Sequence, residues 1–259
     1  MLYRRTWTPG SRHTPSRDSD ARYNHAARRE DDTLRSVCFA SLTPSMLLMS
    51  GDVSPLLPTD WVDQVRACTE ASAQWRRGRS GNVTSREGEF DETEPPEVGV
   101  ISGDKVARHL PWLADLYAET FLEYANRFGG PYVVSQDIKS SININHSRRG
   151  MRYEWHVDSN PLTALLYATT HGPGRGGELV FRPDPEVEQT AGWQVRVAPK
   201  AGQLLLFDAR RAAHCVTPLL DPDRISVPMN YYLAAAEQER PQGLDAYLYK
   251  TVRPPAAEG

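Results

Sequence analysis

Hydrophobic and polar positions divide the chain into a helical first half and a strand-rich second half. From Pro111 to about Phe128, apolar residues recur every three or four positions, which predicts a helix that begins at a proline. The stretch from Thr59 to about Trp75 has the same spacing. From Tyr132 onward, short runs of β-branched and aromatic residues alternate with Gly, Pro, Asn and Asp, which predicts strands.

The strand-like runs are short and close together, which is typical of a barrel or sandwich. They cover residues 141–145, 151–157, 163–169, 178–182, 193–197, 203–207, 213–217 and 225–233. The predicted fold class is therefore mainly β, and the helices before residue 131 are expected to brace the β core.

Two polar stretches flank or interrupt these elements. Residues 1–35 are rich in Arg, Asp, Ser and Pro, so they are expected to form a flexible N-terminal arm. Residues 76–97 combine charges, Gly and a Pro pair, which predicts a long surface loop. We expect one domain over 36–259, with helical support and the loop in 36–130, the β core in 131–236 and a tail in 237–259.

Composition and charge exclude several classes of protein. The 259 residues carry 30 basic and 33 acidic side chains, so no general attraction to nucleic acid or an anionic membrane is expected. No apolar run approaches the roughly 20 residues of a membrane helix, and none follows Arg4 and Arg5 as an export signal requires. Three scattered cysteines favour a reducing, cytoplasmic location, and Cys215 is expected to be a small core residue.

Candidate metal chemistry lies in His156-Val157-Asp158 and in His214, which falls on a different predicted strand. Residues i and i+2 of a strand share a face, so His156 and Asp158 can approach the same ion. Two imidazoles and one carboxylate leave three coordination positions free on an octahedral iron. The triplet is a weak signal by itself, because such short motifs arise by chance.

A candidate anion site follows ten residues after His214. Arg224 and Ser226 share one strand face, and the flanking Ile225 and Val227 indicate that Arg224 is buried. A buried guanidinium needs an anion, and its fork geometry suits a carboxylate.

With these pieces in order, the chain resembles the iron(II)/2-oxoglutarate-dependent oxygenases, and within them the prolyl 4-hydroxylase-like branch. The resemblance covers about residues 141–233. Its fragments are HVD at 156–158, TALLYAT at 163–169, GGELVF at 176–181, PKAGQLLLF at 199–207, AHCV at 213–216 and RIS at 224–226. It implies a double-stranded β-helix core of the jelly-roll or cupin-like kind.

The resemblance also implies roles for individual residues. His156, Asp158 and His214 would bind Fe(II), and Arg224 would hold the distal carboxylate of the cosubstrate 2-oxoglutarate. O₂ is the second cosubstrate, and ascorbate is a candidate reductant. The carboxylate of Asp158 disfavours halogenation, because related halogenases have Gly or Ala there.

Three further cosubstrate residues follow from the same resemblance. Tyr167 falls where members of this branch often place a hydroxyl on the same carboxylate, and Ser226 is placed to assist. His146 stands where relatives often carry a Tyr near the cosubstrate. Each has an alternative as an ordinary structural residue.

Strand alternation gives a hypothesis for the substrate. If His156 and Asp158 face the interior, Arg152 and Glu154 share that face, and Tyr153, Trp155 and Val157 pack outward against the helices. Arg152 or Glu154 would then pair with a charged substrate group, or the two would pair with each other or lie at the mouth of the barrel. The weaker candidates for substrate contact are Asn143, Asn145 and Asn230.

The expected activity is hydroxylation of an unactivated C–H bond of a small molecule, an amino acid or a biosynthetic intermediate, with release of succinate and CO₂. A peptidyl or protein hydroxylase and a non-catalytic β-barrel binding module stand as alternatives. A zinc hydrolase would leave Arg224 without its anion. Shared folds host many substrates, so the resemblance does not fix the substrate or the oligomeric state.

Overall fold

In a computed structural model of the chain, the described residues are 46–77, 85–86, 97–185 and 194–236. All of them belong to one unit, Ser41–Gly259. The predicted arm at 1–35 and the predicted tail at 237–259 lie outside the described residues, as does most of the loop predicted at 76–97.

The strands form two sheets, and their labels follow chain order. They are β1 Leu47–Asp52, β2 Gln74–Arg77, β3 Glu97–Ile101, β4 Tyr132–Val134, β5 Ile144–Arg148, β6 Tyr153–His156, β7 Leu162–Tyr167, β8 Leu179–Pro183, β9 Val195–Val197, β10 Gln203–Asp208, β11 Ala212–Val216 and β12 Asp223–Leu233. The larger sheet has the order β1-β10-β7-β12-β5-β3-β2, with β4 also on β12, and the smaller sheet has the order β6-β11-β8-β9. All pairings between these strands are antiparallel.

A core between the two sheets confirms the double-stranded β-helix. Leu165 and Phe207 of the larger sheet pack in one cluster with Phe181 and Val216 of the smaller sheet. The rings of Phe181 and Phe207 meet edge to face at 5.0 Å, a geometry that aromatic pairs favour. Every residue of β7 is buried, as expected for a central strand that is covered on both faces.

The helices cover the larger sheet, where they contact β3, β4, β7 and β12. They are α1 Trp61–Ser72, α2 Gly103–His109, α3 Pro111–Ala118, α4 Thr120–Asn126 and α5 Ile138–Ser141, and a 3₁₀ turn spans Ser54–Leu56. The helix predicted from Pro111 is two helices, because Glu119 leaves the helical conformation at φ −119°, ψ −87°. Within the described ranges, no helix is long and apolar enough to cross a membrane.

Several strands differ from the sequence-based expectation. The strands β1, β2 and β3 precede residue 131 and complete the larger sheet, so the β structure is not confined to 131–236. In the backbone ladder between β2 and β3, Arg77 is the register partner of Glu97, so both ends of the predicted 76–97 loop belong to strands. The strand predicted at 141–145 begins at Ile144 instead, because α5 occupies residues 138–141.

The long strand β12 has three partners along its length. It pairs with β5 at Asp223 to Ser226, with β7 at Ser226 to Tyr231, and with β4 at its end. Its pairing with β5 stops at Ser226, and Pro228 follows two residues later. Beyond that point, the main-chain contacts are a hydrogen bond from Asn143 N to Pro228 O at 3.0 Å and one isolated bridge, Ile142 to Met229. A proline lacks the N–H that a continuing ladder would use.

Candidate metal centre

His156, Asp158 and His214 come together at one end of the space between the sheets. His156 and His214 are directly opposite each other on β6 and β11, and their rings lie 4.1 Å apart. Oδ1 of Asp158 lies 3.7 Å from Nε2 of each imidazole. Donor atoms at this separation are compatible with one ion about 2 Å from each. The three residues form a candidate metal site whose donors all lie within 4.8 Å of one another.

Backbone carbonyls fix the orientation of both imidazoles. Nδ1 of His156 lies 2.8 Å from the carbonyl oxygen of Glu154, and Nδ1 of His214 lies 2.8 Å from that of Ala212. A carbonyl oxygen only accepts, so each Nδ1 carries the hydrogen and each Nε2 keeps its lone pair. Both lone pairs are therefore available for a metal, and the arrangement is the one that commonly orients histidine ligands.

The electrostatic surroundings keep the buried histidine neutral. Burial and the neighbouring His156 lower the pKa of His214 to about 4, although Asp158 opposes the shift. The edge-to-face contact with Phe207 at 5.1 Å contributes to this apolar surrounding. A neutral imidazole at neutral pH needs no proton loss before it binds a metal.

A cavity of about 160 Å³ extends from this triad between the sheets. Alternate residues of three neighbouring strands of the larger sheet line one side of the cavity. These residues are Asn143, Asn145 and Ser147 on and next to β5, Arg224, Ser226, Pro228 and Asn230 on β12, and Thr163 and Leu165 on β7. Among the described lining residues, the acidic and basic side chains are His156, Asp158, His214 and Arg224, and Tyr153 adds a phenol.

Arg224 and Tyr167 form a buried polar pair at the other end of this space. Nε of Arg224 donates to the carbonyl oxygen of Gly177 at 2.9 Å, and Nη1 donates to Oγ of Ser226 at 3.0 Å. The guanidinium carbon lies 5.2 Å from the centre of the Tyr167 ring. The Tyr167 hydroxyl interacts with the Arg224 guanidinium, and among the described residues no acceptor is found for its own hydrogen. Burial raises the pKa of Tyr167, and Arg224 opposes that shift, so the hydroxyl keeps its proton to donate.

The glycine-rich loop at 172–177 helps to hold Arg224. Gly177 has φ +73° and approaches His171 so closely that an added Cβ would lie 2.9 Å from Nδ1 of that ring. His171 in turn contacts the carbonyl oxygens of Gly176 at 3.2 Å and Asp223 at 2.9 Å. The loop therefore packs behind Arg224. This role could not be predicted from local pattern, because it depends on a contact between residues 47 positions apart.

The parity argument for Arg152 and Glu154 was wrong. Val216 pairs with Tyr153 and His214 pairs with His156, so β6 has one residue more than β11 between these pairs. This bulge turns Tyr153 toward the cavity, which it lines, and its ring lies 4.8 Å from that of His156.

Arg152 and Glu154 do not line the cavity, although both are buried. Glu154 accepts a hydrogen bond from Ser85 at 3.1 Å. Trp155 packs with Cys215 in an apolar cluster on the other face of the smaller sheet, which confirms the expectation for Cys215.

His146 does not reach the cavity either. It faces away from Asn145 and Ser147, which line the cavity, and its ring lies 5.2 Å from that of Trp75. Its Nε2 lies 3.8 Å from Asp223, and burial lowers its pKa. Asn145, directly opposite Ser226, lines the cavity on this strand, and His146 does not.

Comparisons with known proteins agree with this geometry. The sequence profile of the 2OG-Fe(II) oxygenase superfamily matches residues 142–232, which include the triad, Tyr167 and Arg224. A search of curated protein sequences gave no significant match.

Solved structures with the same fold include several 2OG-Fe(II) oxygenases. An oxidoreductase of this family from Burkholderia pseudomallei has TM-score 0.51 and 13% identity, over 71% of this chain and 84% of its own. The epimerase SnoN of nogalamycin biosynthesis has TM-score 0.53 and 16% identity, over 91% and 95%. HygX from Streptomyces hygroscopicus, with nickel and 2-oxoglutarate bound, has TM-score 0.51 and 12% identity, over 77% and 91%.

The superfamily depends on Fe(II) and 2-oxoglutarate, and the residues present suit both. Imidazole nitrogen and carboxylate oxygen in a facial set with open positions are typical of non-haem Fe(II) sites. The Tyr167 hydroxyl and the guanidinium fork of Arg224 offer hydrogen-bond donors of the kind that a carboxylate accepts.

The close packing of the glycine-rich loop gives a stability prediction. Gly174 and Gly176 both have φ +70°, but a Cβ on Gly174 would meet open space, whereas one on Gly176 would overlap the Pro218 carbonyl oxygen. Gly174→Ala is expected to cost only the left-handed conformation, about 1–2 kcal/mol. Gly176→Ala should cost clearly more, because the backbone must also move. Thermal unfolding of both variants measures the difference, and equal losses would contradict the close packing of the loop.

Proposed function

We propose that this protein is an Fe(II)/2-oxoglutarate-dependent dioxygenase that hydroxylates a C–H bond of a small molecule. In the balanced reaction, R–H, O₂ and 2-oxoglutarate give R–OH, succinate and CO₂. The observation that carries the proposal is one cavity that is lined by three metal-binding donors and by the buried Arg224, with the Tyr167 hydroxyl beside the guanidinium.

The triad would hold the metal through Nε2 of His156, Nε2 of His214 and Oδ1 of Asp158. Both imidazoles are already in the required tautomer, so binding needs no rearrangement of protons on these rings. When bound, Fe(II) together with 2-oxoglutarate supplies the activation of O₂ that breaking an unactivated C–H bond requires.

Arg224 would hold the distal carboxylate of 2-oxoglutarate, and Tyr167 would donate a hydrogen bond to the same group. Ser226 would support Arg224, because its hydroxyl accepts from Nη1. The cost of burying the guanidinium without an anion supports this assignment. Ionic recognition at this end would orient the cosubstrate so that its oxo acid faces the triad.

The substrate would occupy the side of the cavity that Asn143, Asn145 and Asn230 line. These side chains are uncharged and offer both donors and acceptors, which suits hydroxyl or amide groups of a small molecule. Arg152 and Glu154 lie elsewhere, so their pairing with a charged substrate group has no support in the cavity. Asn230 already donates to the carbonyl oxygen of Ser140 at 2.7 Å, so its amide is held in place.

An anaerobic absorption titration tests the proposal without a known substrate. Metal-free protein is titrated with Fe(II) and then with 2-oxoglutarate. A weak visible charge-transfer band that needs both additions is expected, and exposure to air should then release succinate slowly. A protein that gains no band and forms no succinate would contradict the proposed dioxygenase.

A substrate screen then tests the finer part of the proposal. Hydroxylation adds one oxygen atom to the substrate, so a mass increase of about 16 Da is expected, with ¹⁸O from labelled O₂. The fold also occurs in an epimerase, so a product of unchanged mass, formed with stoichiometric succinate, would replace hydroxylation as the outcome.

A further inference from the structure

A short hydrogen-bonded chain holds the carboxylate of Asp158 from behind. Oγ1 of Thr163 lies 2.6 Å from Oδ2 of Asp158. Nδ2 of Asn160 lies 2.9 Å from the same Oγ1 and 2.7 Å from the carbonyl oxygen of Leu162. Asn160 and Thr163 are each only 2% exposed, so both groups behind the carboxylate are largely shielded from solvent.

The carbonyl oxygen of Leu162 sets the direction of every hydrogen bond in this chain. A carbonyl oxygen only accepts, so the atom of Asn160 that faces it must be the NH₂ group. Oγ1 of Thr163 therefore accepts from Asn160, and its single hydrogen is left for Asp158. Oδ2 of Asp158 is thus an acceptor, and Oδ1 is the oxygen that faces both imidazoles, 3.7 Å from each Nε2.

The segment that carries these groups is also anchored through its backbone. Asp158 N donates to the carbonyl oxygen of Ala209 at 2.9 Å, and Ala209 N donates to that of Pro161 at 3.1 Å. Both ends of the turn between β6 and β7 are therefore tied to one residue that follows β10. A carboxylate on such an anchored turn has little freedom to rotate away from Thr163.

We propose that Thr163 and Asn160 are positioning residues that restrict Asp158 to binding the metal through Oδ1 alone. This inference rests on the proposed metal-binding role of the triad. A carboxylate that binds through both oxygens would fill a fourth of six positions. With Oδ2 committed to Thr163, three positions on a bound metal would stay open for 2-oxoglutarate and O₂.

The test uses Co(II), whose visible spectrum reports the coordination number, on the full-length metal-free protein. Thr163→Val keeps the β-branched shape but cannot donate a hydrogen bond, whereas Thr163→Ser keeps the hydroxyl. The valine variant is expected to bind Co(II) about 10–100-fold more weakly, the usual effect of losing a partner of a metal ligand. Its absorption band should also change in position and intensity, because Oδ2 becomes free to join the metal. The serine variant should restore both properties.

The possible outcomes separate this inference from the proposed function. If the wild type gains no Co(II) band, the proposed metal role of the triad fails. If the wild type binds and the valine variant has the same affinity and spectrum, only the positioning role is overturned. If circular dichroism shows that the valine variant is unfolded, Asn160→Ala becomes the test of the positioning role. This variant keeps Thr163 but removes the hydrogen bond that orients its hydroxyl. An unchanged spectrum and affinity in that variant would overturn the inference.

Discussion

Replacing His214 with alanine is expected to abolish both the charge-transfer band and the formation of succinate. His214 is the most buried member of the triad, and its Nε2 is turned toward Asp158 by the carbonyl oxygen of Ala212. With two donors left, metal affinity should fall by more than the 10–100-fold that follows the loss of an outer partner. Isothermal titration with Fe(II) under argon measures the affinity directly.

The control for this variant is His109→Ala, at the exposed end of α2. It removes an imidazole from the same chain and should leave metal binding unchanged. Because His214 packs against Phe207, its loss also leaves a cavity, so the thermal midpoint of the metal-free proteins must be compared. A folded His214→Ala protein that still shows the wild-type band would refute the assigned ligand.

Loss of the Arg224 guanidinium should separate cosubstrate binding from metal binding. Arg224→Ala is expected to retain Fe(II) but to weaken 2-oxoglutarate binding by about 2–5 kcal/mol, the usual cost of truncating one side of a buried charge pair. That range corresponds to about 30-fold to several thousand-fold in Kd. Titration of the charge-transfer band with 2-oxoglutarate at saturating Fe(II) gives this Kd.

Two further variants make the Arg224 result specific. Arg224→Lys keeps the charge but loses the fork, so it should restore only part of the affinity. Arg127→Ala removes an exposed guanidinium that lies over the Tyr124 ring just after α4, away from the cavity, and it should change nothing. If Arg224→Ala kept a wild-type Kd for 2-oxoglutarate, the anion site would have to lie elsewhere in the cavity.

Local pattern was enough to predict the strands that carry the triad and Arg224. Those strands have strong β-branched and aromatic runs between clear turn residues, and β6 to β12 lie close to the predicted ranges. The strand β1 was missed because its partner, β10, lies about 150 positions away, and nothing in the run LLMSGD indicates that pairing. The break at Glu119 was missed for a similar reason, since the apolar spacing continues across it.

The errors within the site have a common physical cause. Alternation predicts which side chains share a face only while the pairing is regular. The extra residue on β6 breaks this regularity, so Tyr153 lines the cavity and Glu154 does not. On and next to β5, residues 143, 145 and 147 face the cavity, so His146 between them faces away from it and cannot contact the cosubstrate. Thr163 and Asn160 were not recognised, since their hydrogen bonds to and near Asp158 depend on the folded turn.

Pro228 has a consequence for how this cavity can change shape. The carbonyl of Pro228 faces Asn143, and the carbonyl and nitrogen of one strand residue point to the same side, so the missing N–H also faces β5. The pairing of β12 with β7 therefore loses no donor, while the pairing of β5 with β12 is interrupted beside Asn143. Arg224 lies before this break, in the regular part of the same ladder opposite Ser147, and the triad lies on β6, on β11 and just after β6. Substitution of Asn143 should therefore reshape the substrate side of the cavity without weakening the binding of metal or cosubstrate, which makes this break a suitable place to change substrate choice.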